Sequence, residues 1–138
     1  MTAPQMIFIN LPVRDLDRAK AFFNALGYAC NPQFTDHQAA CVVVSDAIFV
    51  MLLVEPLFRE FTAKPLVDAH AQTEVITCLS APGRDGVDAM LERALAAGAS
   101  EPRPPRDYGF MYQRSFQDPD GHLWEIAFME GEPVECGA

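Results

Sequence analysis

The sequence predicts an α+β fold made of two copies of one strand–helix–three-strand unit, and three observations predict it. Apolar residues recur at helical spacing in two places, 16–26 and 87–95. Each of these stretches stops at a glycine, Gly27 and Gly98, and 98 − 27 = 71 residues is about half of the 138-residue chain. Each helical stretch follows one strand-like run and precedes three more, so the halves repeat a pattern more than a sequence. Half of the residues are hydrophobic, which suits one domain with a substantial interior.

The elements follow in order. Residues 6–13 read as a strand running directly into the first helix, where Asp15 is placed to accept a bond from an unpaired backbone N–H. Leu16, Ala19, Phe23 and Leu26 then mark the apolar face, with Arg18 and Lys20 elsewhere. Strands are expected at 28–34, 40–45 and 47–54, with Ser45 and Asp46 turning a hairpin. These elements make a first module over 6–54. Residues 55–72 hold Pro56, Pro65 and mixed charges, and read as a connector with one short helix.

The second module spans 73–129. It opens with a strand at 74–80 and a loop at 81–86. Val87, Met90, Leu91, Ala94 and Leu95 give the second helix its apolar face. Strands are expected at 99–102, 110–117 and 122–129. Between the last two, Asp118-Pro-Asp-Gly is a turn with a mechanism, since Pro119 fixes φ and Gly121 supplies φ > 0. The tail, 130–138, is acidic and should fray. One helix covers only one face of a four-stranded sheet. Curling the two sheets around a shared concave cavity would bury the other faces and make a place for a ligand.

Composition removes several classes of function. Nineteen acidic against ten basic residues give a net charge of −9, which argues against nucleic acid and against an anionic membrane surface as partners. The longest apolar run, 47–54, is far short of the ~20 residues of a membrane-spanning helix. The N-terminus has no basic region leading into an apolar stretch. Cys30, Cys41, Cys78 and Cys136 form no CxxC pair, and the first three sit in strand-like surroundings as ordinary buried thiols would. The expectation is a cytoplasmic protein in a reducing compartment.

Two stretches carry a resemblance: INLPVRDLDRAKAFFNALGY at 9–28 and DPDGHLWE at 118–125. With the repeat between them, the chain resembles the vicinal oxygen chelate superfamily, which includes glyoxalase I, bleomycin-resistance proteins and extradiol dioxygenases. DYGFMY at 107–112 is similar to a bacterial subgroup of lactoylglutathione lyase-like proteins. The resemblance implies the glyoxalase/bleomycin resistance/dioxygenase fold over nearly the whole chain, a homodimer, and a cavity for a small molecule. In metal-dependent members one divalent ion is held by four side chains, on the first and last strands of each module. Those positions here are Phe8, Met51, Glu74 and Glu125. Phe8 cannot bind a metal and Met51 suits a hard divalent ion poorly, so no metal is expected. If one binds, Glu74 and Glu125 are its ligands.

Two functions follow. One is a binding module that holds a small apolar or planar molecule without metal. The alternative is a lactoylglutathione lyase-like or extradiol dioxygenase-like enzyme. In the latter, Glu125 and Glu74 are the catalytic candidates, as ligands of a divalent metal or as a converging pair supplying a general base. Alternation in 123–128 places Leu123, Glu125 and Ala127 on one face, so Glu125 should look into the cavity, or else pair with an arginine such as Arg114. Phe8, Asn10, Met51, Tyr108, Met111 and Arg114 are the ligand-binding candidates. Arg114 would clamp an anion if it points inward, and Tyr108 would donate from a Pro-rich loop.

Overall fold

A computed structural model describes residues 5–131; the last seven residues of the expected tail, with Cys136, lie outside them. The first module comprises β1 (Ile7–Val13), α1 (Leu16–Ala25), β2 (Ala29–Cys30), β3 (Ala39–Val43) and β4 (Ile48–Val54). The second comprises β5 (Ile76–Ser80), α3 (Arg84–Ala96), β6 (Arg106–Asp107), β7 (Met111–Gln117) and β8 (Leu123–Met129). Between them runs the connector, with the short α2 (Glu55–Phe58) and a 3-10 turn at Arg59–Phe61. The two four-stranded sheets have matching orders, β1-β4-β3-β2 and β5-β8-β7-β6. In each, the module's first strand forms one edge of the sheet and pairs in parallel with its last strand.

Local chemistry sets the boundaries. Asp15 accepts from the Arg18 backbone N–H at 3.1 Å and starts α1. Gly27, at φ 108°, ends it. The strand expected at 28–34 is cut to two residues because Asn31 caps a 3-10 turn at Pro32–Phe34, accepting from Gln33 N–H at 2.9 Å. Between 99 and 102 only Ser100 bridges, to Gln117, since Pro102, Pro104 and Pro105 offer no N–H to a ladder. The first strand of the second module begins at Ile76, two residues later than expected.

One core serves both modules. Leu11 and Val13 of β1, Val50 and Leu52 of β4, Leu79 of β5, Phe116 of β7 and Trp124 and Ile126 of β8 join Phe22, Phe23, Val87 and Leu91 of the helices in a single buried cluster. α1 lies against β3 and β4. It also reaches across the molecule, where Phe22 meets Phe116 at 5.8 Å and Phe23 meets Trp124 edge-on at 5.4 Å between ring centroids. α1 is thus held between the two sheets. Strand alternation then turns the opposite face of each sheet outward. Phe8 on one outer face and Ile76 on the other are each about half exposed, at 51% and 50%.

Candidate functional site

The outer face of the first sheet carries Phe8, Asn10 and Pro12 from β1 and Phe49, Met51 and Leu53 from β4. Phe8 stacks on Phe49 at 4.9 Å with the rings 13° from parallel, a flat aromatic platform open to solvent. The outer face of the second sheet carries Ile76, Cys78 and Ser80 from β5, Leu123, Glu125 and Ala127 from β8, and Met111, Gln113 and Ser115 from β7. Residues of the two outer faces come together at one cleft. There Asn10, Pro12, Val75 and Leu123 line a cleft of about 360 Å³ beneath the connector residues Phe58, Leu66 and Val67.

Register compares the corners of the two modules. Met51 stands opposite Asn10, and Phe8 lies two residues before Asn10. Glu125 stands opposite Cys78, and Ile76 lies two residues before Cys78. The counterpart of Phe8 is therefore Ile76 and not Glu74, which precedes the strand and is exposed. Glu74 sits four residues along the ladder from Glu125's partner, a separation of about 13 Å, and lines the connector cleft instead. The expected convergence of two carboxylates is thus corrected. The four corners are Phe8, Met51, Ile76 and Glu125: two hydrocarbons, a thioether and one carboxylate. Among the described residues no three His, Cys, Asp or Glu side chains gather to hold an ion. This donor set does not fit a hard divalent cation.

Glu125 already has a cation. The Arg103 guanidinium forms an ion pair with it and also donates to the Gln113 side-chain oxygen at 3.0 Å. Both charged side chains are mostly covered, at 28% and 19% exposure. Beside Glu125 on β7, Ser115 is buried and its Oγ has no hydrogen-bond partner among the described residues. Across the β5–β8 ladder, the Cys78 thiol is pushed up from its ordinary value by burial first and then by the Glu125 charge. It therefore stays protonated and is a poor nucleophile. Burial likewise raises Cys30 and Cys41.

The remaining candidates fall elsewhere. Arg114 points to the helix side of its sheet. Glu101 takes two of its N–H groups, each at 3.1 Å, and Asp88 a third at 3.0 Å, so it is no anion clamp and not the partner of Glu125. The Tyr112 hydroxyl donates to the same Asp88 at 2.7 Å. Tyr108 is exposed, and its Oη accepts from Arg106 at 3.2 Å. Met111 lines a hollow on the second sheet with Cys78, Gln113, Ala127 and Met129. Phe49, Arg103, Gln113 and Ser115 complete the faces and were not singled out as ligand contacts from sequence. Phe49 and Gln113 were open to the same alternation argument as Met51. The direction of the Arg103 side chain was not, because a loop has no period.

Comparison with known proteins agrees with this architecture. A family model described as Bleomycin resistance protein-like N-terminal matches residues 5–45, and one described as Glyoxalase/Bleomycin resistance protein/Dioxygenase superfamily matches residues 59–126. No curated protein is a significant match. Among solved structures, the hypothetical protein SA1046 from S. aureus is 25% identical with a TM-score of 0.77, covering 92% of this chain and 95% of that one. A glyoxalase-related enzyme from Fulvimarina pelagi is 22% identical with a TM-score of 0.80, covering 97% and 94%. A bleomycin resistance determinant encoded on the transposon Tn5 is 20% identical with a TM-score of 0.65, covering 93% and 100%. These likenesses concern the fold, which hosts more than one chemistry.

Proposed function

The chain belongs to the glyoxalase/bleomycin resistance/dioxygenase superfamily, and from that membership we propose that it binds a small organic molecule on its outer sheet faces without the help of a metal ion. The observation that carries this reading is the set of four corners. Phe8, Met51 and Ile76 offer no donor that a hard cation would choose. The one carboxylate left, Glu125, is neutralised by Arg103. What these positions offer instead is apolar surface: the Phe8–Phe49 platform on one sheet, and Met111, Ala127 and Met129 on the other. Planar and apolar ligands suit such walls.

A single chain leaves the two walls facing away from each other. We take the working unit to be a homodimer, in which the first sheet of one chain meets the second sheet of its partner. The exposed apolar side chains Phe8, Ile76 and Met129 support this, because solvent exposure of such faces is unfavourable. No helix among the described residues is long and apolar enough to cross a membrane. Residence in the cytoplasm fits the cysteines, of which the three described are free thiols.

The retained Glu125 of the closing motif favours a second reading, a lactoylglutathione lyase-like or extradiol dioxygenase-like enzyme in which Arg103 moves aside. Elemental analysis of the purified protein, followed by titration with Ni(II), Zn(II), Mn(II) and Fe(II), separates the two. The expected result is no stoichiometric uptake and saturable binding of flat aromatic probes. One ion per chain, with turnover of a hemithioacetal or a catechol, would establish the enzyme instead.

A further inference from the structure

We infer that the connector cleft is a ligand site of its own, separate from the outer sheet faces, and that it takes a compact, rounded, uncharged aliphatic molecule bearing one hydroxyl group. β1 and β5 are each an edge strand of their sheet, and residues of both line this cleft of about 360 Å³. The sheets contribute the buried Leu11 and Trp124 and the half-buried Leu123, and the connector contributes the half-buried Phe58 and Leu66. Apolar walls drawn from separate stretches of chain enclose a rounded body, whereas the Phe8–Phe49 platform suits a flat one.

The polar groups of the cleft narrow the ligand further. The charged side chains that border it are Lys64 and Glu74, one of each sign and both exposed. A charged ligand would give up its water for no net opposite charge. Most of the other polar groups are already bonded. His122 Nε2 meets the Pro12 carbonyl at 2.7 Å, and Trp124 Nε1 donates to Asp118 at 3.0 Å. The Thr73 hydroxyl donates to the Val75 carbonyl, and Thr62 Oγ1 accepts from the Lys64 N–H, each at 3.0 Å. Thr77 differs. It stands opposite Trp124 in the β5–β8 ladder and shares its inward face. It is half-buried, and among the described residues its hydroxyl has no hydrogen-bond partner. A ligand hydroxyl can both donate to it and accept from it. The connector can also admit such a molecule. Gly121 packs on the His70 backbone and fixes one end of it. Among the described residues, however, no backbone hydrogen bond ties residues 62–67 to either sheet, so this stretch can open while the sheets stay intact.

The test is an NMR titration of the intact protein with borneol, a rounded bicyclic alcohol. Signals of Leu11, Thr77, Leu123 and the Trp124 indole N–H should shift together and saturate at one borneol per chain, while those of Phe8, Phe49 and Met111 stay in place. Camphorsulfonate, a charged molecule of the same skeleton, should bind about tenfold more weakly. Thr77→Val should weaken borneol binding about fivefold, the worth of one neutral hydrogen bond, and Thr77→Ser should keep the affinity. Absence of saturable shifts, or shifts confined to the outer faces, overturns the inference. So does equal affinity for camphorsulfonate, or a Thr77→Val variant that binds borneol as tightly as the intact protein. The outer-face reading stands or falls separately, on flat aromatic probes and metal uptake.

Discussion

The residue that most constrains the connector is Gly121. Its φ of 92° is a backbone state that side chains rarely adopt, and a Cβ there would lie 2.6 Å from the His70 backbone nitrogen. The turn of the closing motif therefore packs directly on the connector. Asp118 secures it from below, accepting from Trp124 Nε1 at 3.0 Å and from the backbone N–H groups of Asp120 and His122. Gly121→Ala should lower stability by about 2–4 kcal/mol, as strain and a backbone clash combine. Urea unfolding followed by Trp124 fluorescence reads this, and a loss below about 1 kcal/mol would mean that the turn relaxes freely. At this scale the sequence was legible where a residue type has one job. Gly121 supplies φ > 0, and Asp15 caps a helix. It was illegible where the same type has several: Arg114 and Arg103 look alike as letters, but strand parity sends one to the helix side and a loop sends the other to Glu125.

At the scale of elements, periodicity made both helices readable, because Leu16, Ala19 and Phe23 or Val87, Leu91 and Ala94 can only share a face in a helix. The short strands were not readable. β2 and β6 have two residues each, too few for any period, and are defined by partners far along the chain. The loop carrying Arg103 and Arg106 is instead anchored by electrostatics. Arg84 of α3 donates to both oxygens of Asp107, at 2.7 and 3.2 Å, and to the Gly109 carbonyl at 2.9 Å. The Arg84 bond, followed by that from the Gly109 N–H, holds the Asp107 carboxyl below its ordinary range, and the Tyr112 hydroxyl does the same for Asp88. Both carboxyls bind protons less readily folded than unfolded. Their contribution is therefore full above the unfolded value near 4, and is lost as pH falls through the lower folded values. Amides 103–110 should lose exchange protection below about pH 4 while the α1 amides keep theirs. Asp107→Asn should show the same loosening at neutral pH, and unchanged protection in that variant would remove Asp107 as the anchor.

At the scale of the molecule, the position of α1 between the sheets decides how a complete binding cavity forms. With Phe22 and Phe23 packed on Phe116 and Trp124, the inner faces of both sheets are turned to α1, so the Phe8 face and the face carrying Glu125 are both outer surfaces of one chain, and residues of the two come together at the connector cleft. A hollow walled by both needs two chains. The protein should therefore sediment at about twice its 15.2 kDa. Complementation tests the geometry further. Phe8→Asp removes the aromatic platform of the first sheet, and Arg103→Glu reverses the charge of the second. Each variant alone should lose the binding of flat aromatic probes. Unfolded together in equal amounts and refolded, they form mixed dimers in half of the assemblies, each with one intact pair of walls. About a quarter of the wild-type sites should then return, since half of the dimers recover half of their sites. A cavity closed within each chain would return none, because every chain would still carry one damaged wall.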